Sequence, residues 1–214
     1  MRKRSVILSL LLILSLALCV PASAETCITA MAIEINPEHL EMTSSYARIR
    51  GYDPEKNVLR VELIVPERFA YQEVDALQPG DSIYTNGQEV LIRTITKHWS
   101  DTELNEGGED AVYLAGDQDG NYRPLDGDDF VWLSVAEIEC PVTDSLLFLD
   151  YIDESDGGML ELPVVHTAGE LTAHIVEEGA ENAFTVGFTA NNVYVVFDEE
   201  GRLCTVHRFY VPWQ

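Results

Sequence analysis

The chain predicts an α+β, β-rich fold: antiparallel sheets or a small barrel, with one main helix near 167–179 and a C-terminal meander. Short runs of branched and aromatic residues recur between turn residues. Only the stretch from Thr167 to Gly179 combines a helix start signal with helical spacing. Strands and helices do not alternate as they do in a parallel nucleotide-binding sheet.

At the start of the chain, Arg2, Lys3 and Arg4 precede an apolar run from Val6 to Val20, Pro21 breaks it, and Ala22-Ser23-Ala24 supplies the small-x-small pattern of signal peptidase. The run is about 15 residues, short for a ~30 Å hydrocarbon layer. Residues 1–24 therefore read as a signal peptide, and the mature chain as secreted or cell-wall associated with no membrane span. Lipoprotein processing is disfavoured, because the cysteine it would modify, Cys19, follows Leu18 where a small residue is needed.

The first expected strand, 28–35, stops at Asn36-Pro37, and the second, 57–65, alternates until Pro66 ends it. Pro79-Gly80-Asp81 is turn chemistry leading into 82–85. Asn86-Gly87 is the strongest hairpin signal, since a type I′ turn needs positive φ at both central positions, and its return strand is expected over 89–96. Further strands are expected over 111–114, 129–138 and 146–149, with Asp119-Gly120 turning 112–114 back into 122–124. At the helix, Thr167 covers an orphan amide, Glu170 reaches back to form a capping box, and Leu171, Ile175 and Val176 share one face. Strands over 183–189, 192–198 and 202–211 follow, the last two paired across Glu199-Glu200-Gly201. Val206 and Tyr210 on one face of the last strand, with Phe209 and Val211 on the other, make it a central strand covered on each side.

This order suggests a β-barrel-like region over 25–140 and an α+β region over 141–214 packed against it, with a seam near 140–145. The first region, with its Pro79-Gly80-Asp81 turn before a long hairpin, resembles small barrels of the OB or SH3-like kind, a resemblance that implies no function. At Asn192-Val193-Tyr194-Val195-Val196-Phe197-Asp198 and the ending Phe209-Tyr210-Val211-Pro212-Trp213, the chain resembles uncharacterised exported proteins of Gram-positive anaerobic bacteria. That resemblance implies no activity and no site residues.

Charge constrains partners. The formal net charge is −24, and beyond residue 24 only ten basic side chains face 37 acidic ones. Phosphate backbones and anionic lipid surfaces repel such a chain, so nucleic acid is excluded as a partner. Cys27, Cys140 and Cys204 beyond the signal peptide are odd in number, which favours three separate thiols over a disulfide framework.

Ten acidic residues between Asp101 and Asp129 form the best lead to a ligand. Asp117, Asp119, Asp126 and Asp128 alternate with glycine and amide residues, and calcium needs six to eight oxygens that short Asp/Asn/Gly loops can supply. An EF-hand does not fit, because Tyr122 stands where its glycine belongs and Asp128 where its glutamate belongs. The competing reading is a solvated hairpin turn.

His39, His98, His166, His174 and His207 are scattered, and Cys204 and His207 fall on opposite faces of a regular strand. Gly-x-Ser-x-Gly, Ser-x-x-Lys and phosphate-loop signatures are missing from the sequence. The reading that results is a secreted, soluble, non-enzymatic binding or interaction module for an extracellular protein or glycan, with no catalytic residue or cofactor assigned. Two alternatives accompany it: a carboxylate-based hydrolase of sugar or peptide bonds, and a calcium-stabilised surface domain. A binding module should present a shallow groove or aromatic shelf, and a hydrolase a deep pocket with converging carboxylates.

Overall fold

The computed structural model describes residues 25–32, 35–153, 158–179 and 187–209. The signal-peptide reading of 1–24, most of the strand expected over 183–189, and 210–214 lie outside them. Among the described residues the elements run β1 (Cys27–Thr29), β2 (Ser44–Asp53), β3 (Val58–Pro66), β4 (Phe69–Ala70), α1 (Tyr71–Ala76), β5 (Ser82–Thr85), β6 (Gln88–Leu91), β7 (Ile95–Lys97) and β8 (Thr102–Leu104). They continue with β9 (Val112–Gly116), β10 (Asn121–Asp126), β11 (Asp129–Phe130), β12 (Trp132–Pro141), β13 (Leu147–Ile152), β14 (Met159–Thr167), α2 (Ala168–Glu178), β15 (Val193–Phe197) and β16 (Leu203–Arg208). The fold is α+β and β-rich, as the sequence predicts.

One sheet dominates, with strand order β12-β3-β2-β15-β16-β13-β14. Its pairs are antiparallel except β13 with β16, which run parallel because the chain passes through β14, α2 and β15 between them. Residues of β2, β3, β13, β15 and β16 that face α2 are mostly apolar, with Ser45, Asp150 and Arg208 as buried polar exceptions. Ala47, Ile49, Leu59, Val61, Leu63, Phe148, Val193, Val195 and Val206 pack there with Leu171 and Ile175 of the helix. Each Val, Leu, Ile or Phe among them stabilises the fold by about 1.5–3 kcal/mol relative to exposure. The helix starts as expected: Thr167 Oγ1 accepts from Glu170 N at 3.3 Å, and a Glu170 carboxylate oxygen accepts from Thr167 N at 2.7 Å. β16 lies between β15 and β13, a central position as its two-sided apolar pattern predicts.

A second cluster joins Ile28, Phe69, Val74, Ile83, Val90, Ile92, Leu104, Leu114 and Tyr122. It lies within two smaller sheets, β1-β5-β6 and β11-β10-β9-β8-β7, with β4 added against β10. The chain thus leaves the large sheet after Pro66 and rejoins it at Trp132, which is the register partner of Pro66. Cys140 and Leu146, on either side of the expected seam, share the larger cluster.

Several element boundaries differ from expectation for identifiable reasons. The first strand shortens to β1, which pairs parallel with β5 before Met31 N turns away to donate to Arg68 O at 2.8 Å. The return strand of the Asn86-Gly87 hairpin breaks after Leu91, where Asn105 replaces a strand partner. Its Nδ2 donates to Leu91 O at 2.8 Å and its Oδ1 accepts from Arg93 N at 2.7 Å. The strand expected over 129–138 becomes β11 and β12, with a bulge between Ser134 and Ala136 that shifts the register. The sequence pattern does not predict β2, β4, β8, β14 or α1.

Candidate functional site

The four aspartates proposed for calcium sit at opposite ends of β10. Asp117 Oδ1 accepts from Asp119 N and Asn121 N, both at 2.9 Å, and ties the turn that enters the strand. At the other end Asp126 pairs with Asp129 and accepts from Asn86 Nδ2 at 3.2 Å, while Asp128 follows Gly127 in the next turn. A strand rise of ~3.4 Å per residue puts the two turns roughly 17 Å apart, against a calcium–oxygen distance of 2.3–2.6 Å. Among the described residues, no group of three or more His, Cys, Asp or Glu side chains could hold a metal ion.

The fold brings His166 and His174 together, which their sequence spacing does not suggest. Their ring centroids are 5.7 Å apart, both rings lie against Phe148, and His166 Nδ1 is 4.0 Å from a Glu170 oxygen. Cys204 lies where β16 slips register, so Leu203 and Val206 both reach the core and the strand is not regular there. Its Sγ donates to Val196 O at 3.3 Å, and the His207 ring instead stacks near Tyr151 and Phe209. Burial lowers the His207 pKa below its usual 6.5. The three described cysteines are free thiols.

The face of the large sheet turned away from α2 carries a different population. Alternation along the strands puts Trp132, Tyr46, Tyr194, His207 and Tyr151 there, on β12, β2, β15, β16 and β13. Register places Tyr46 opposite Tyr194, and Tyr194 opposite His207. Ring centroids follow at 4.9 Å for Trp132–Tyr46, 5.3 Å for Tyr46–Tyr194, 6.2 Å for Tyr194–His207 and 6.4 Å for His207–Tyr151. Phe209 stacks on Tyr151 at 5.0 Å and closes the row. Tyr46 is 41% exposed and Phe209 36%, so the row is accessible at both positions. Five strand spacings of ~4.8 Å make it about 24 Å long.

Polar contacts hold the start of the row in place. Trp132 Nε1 donates to Asp129 Oδ1 at 3.5 Å, Asp129 Oδ2 accepts from Asn191 at 2.9 Å, and Asn191 accepts from Arg48 Nε at 2.7 Å. Arg48 and Arg50 both reach Glu62. Burial alone would raise the Glu62 pKa, but hydrogen bonds from Ser134 and Arg50, with the charge of Arg48, hold it below the usual 4.5.

Beside Tyr46 and Tyr194 opens a cavity of about 380 Å³, bounded also by Ser44, Ile64, Arg68 and Asn121. The Ser44 and Tyr194 hydroxyls are 2.6 Å apart at its edge. No aspartate or glutamate lines it among the described residues. Arg123, from β10, packs its guanidinium 3.5 Å from the Phe130 ring centroid and 5.8 Å from that of Trp132. The accessible aromatics and this cavity form a shelf, a geometry suited to stacking and to orienting hydrogen bonds.

Among the described residues, no helix is long and apolar enough to cross a membrane. Compared with protein-family models, curated proteins and solved structures, the chain matches none.

Proposed function

We propose that the chain is a secreted or cell-wall associated, non-enzymatic binding module that holds a glycan along the aromatic face of its large sheet. The observation that carries this reading is the continuous row from Trp132 through Tyr46, Tyr194 and His207 to Tyr151. Ring faces cover the apolar C–H surfaces of sugars, while the rim hydroxyls of Ser44 and Tyr194 can bond their OH groups. Among the described residues the cavity beside the row is lined without carboxylates, the pair of groups a glycosidase would need there. Strong negative charge disfavours polyanionic partners, which leaves a neutral or sparsely charged chain.

A glycan array probed with residues 25–214, and with the Tyr46→Ala/Tyr194→Ala variant, tests the proposal. Selective retention of one glycan class, weakened at least about tenfold (~1.4 kcal/mol) in the variant, is expected. Absence of retained glycans, or equal retention by a folded variant, overturns it.

A further inference from the structure

Of the ten lysine and arginine side chains beyond residue 24, seven stand within 4 Å of a carboxylate. Arg60 donates to the Arg50 carbonyl. The two that remain, Arg68 and Arg123, have no ion-pair partner among the described residues, in a chain of net charge −24. The Nε of each is buried without a hydrogen-bond partner. An unpaired buried guanidinium nitrogen is costly, and two in one place call for an explanation.

They are in one place because of strand register. Phe69 pairs with Tyr122 and Ala70 with Asn121 in the antiparallel β4–β10 ladder. Carried one step beyond the ladder, that register sets Arg68 against Arg123, close enough for the Arg68 charge to act on it. Like charges directly opposite each other destabilise a sheet. Burial and the Arg68 charge lower the pKa of Arg123, an effect that nearby Asp117 and Asp129 oppose. Neither carboxylate closes to ion-pair distance. Asp129 is already occupied by Asn191, Trp132 and the Phe130 amide. Arg68 borders the cavity, and Arg123 lies against Trp132 at the start of the aromatic row.

We infer that Arg68 and Arg123 form an anion clamp at the head of the aromatic row, and that the bound glycan carries an isolated carboxylate, as a uronic acid does, on an otherwise neutral chain. This rests on the glycan-binding reading above. Planar guanidinium groups match a carboxylate with paired hydrogen bonds. A bound carboxylate would satisfy the orphan donors and neutralise the opposed charges. Screening over ~8 Å at physiological salt lets one carboxylate approach where a polyanion would meet the field of the whole protein.

Two probes separate the parts of this inference: xylotriose carrying one glucuronate, set beside plain xylotriose, and acetate set beside chloride at equal ionic strength. Native protein is expected to bind the glucuronate-bearing trisaccharide at least about tenfold tighter than the plain one, and to gain Tm in acetate. Arg68→Gln and Arg123→Gln are each expected to lose the preference, binding the two trisaccharides alike, and to lose the acetate effect. Without ligand, their Tm is expected to be unchanged or higher, because each removes one of two opposed charges. A purely structural arginine would lower it. Equal binding of both trisaccharides by native protein overturns the uronate assignment and leaves the glycan platform standing. An acetate response confined to native protein, with neither trisaccharide bound, overturns the platform and keeps the clamp. An acetate response identical in native protein and variants overturns the clamp.

Discussion

Asp150 and Arg208 stand directly opposite each other on the adjacent parallel strands β13 and β16, each with a side chain only 1% exposed. Arg208 Nε donates to Asp150 Oδ1 at 3.0 Å, and Nη2 contacts Oδ2 to complete a two-point pair. The guanidinium also faces the Phe188 ring at 4.8 Å and Phe148 at 5.5 Å. Removing one partner leaves the other charge buried and uncompensated. Arg208→Met is therefore expected to cost about 3–5 kcal/mol by urea denaturation, with Asp150→Leu/Arg208→Met regaining most of that loss. A single substitution costing under about 1 kcal/mol would show that water reaches the pair.

Glu62 joins β3 to Arg48 and Arg50 of β2 on the aromatic face. Its pKa is depressed in the folded protein, so its contribution is fully present above the unfolded value near 4.5 and is lost as pH falls through the folded one. Glu62→Gln should lower stability by about 2 kcal/mol at pH 7. Its deficit relative to native protein should shrink steadily below pH ~4.5. A deficit that stays constant down to pH ~2 would remove the charge argument.

Cys140 and Cys27 should react at very different rates. Burial pushes the Cys140 thiol up to about 12, whereas Cys27 is exposed. The thiolate is the nucleophile, so iodoacetamide at pH 8 is expected to label Cys27 within minutes and Cys140 only after denaturant is added. Mass spectrometry of the labelled peptides reads the result. Prompt labelling of Cys140 in native protein would place it at the surface.

The capping box gives a local prediction. Thr167 and Glu170 satisfy each other's amides at the start of α2. Thr167→Ala should lower stability by ~1 kcal/mol. For a domain of this size that is a drop of about 2–4 °C in Tm. Thr167→Ser should sit within a few tenths of a kcal/mol of native protein. An alanine variant as stable as native would mean that packing of Leu171 and Ile175 alone fixes the helix start.

Strong local signals survived into the fold. The Thr167 box, the Asn86-Gly87 turn and the alternation of 57–65 each act over a few residues. β2 was missed because its inward set is small, Ser45, Ala47 and Ile49, and its outward set includes Arg48 and Arg50. β14 was missed because it exposes apolar residues such as Leu162 and Val165 and contains Pro163, features an edge strand tolerates. The break after Leu91 depends on Asn105, a residue that no local pattern connects to it.

The candidate site was less legible still. Its rings come from five strands spread over most of the chain, and only sheet order aligns them. The aspartate cluster was visible in sequence, yet β10 separates its two halves. The opposition of Arg68 and Arg123 exists only once the β4–β10 register is known.

The long excursion between Pro66 and Trp132 also bears on how the chain reaches its fold. The β3–β12 ladder joins strands separated by residues 67–131, and closing an unstructured loop of that length costs about 4 kcal/mol of chain entropy. Building the excursion from its local β5–β6 and β7–β8–β9–β10 hairpins up to the Phe69–Tyr122 pair draws the two ends together in short steps and lowers that cost beforehand. The smaller cluster should therefore gain amide protection before the β3–β12 ladder does in pulse-labelled hydrogen exchange. In variants that weaken β4–β10 pairing, the large sheet would then assemble more slowly although none of its own contacts had changed.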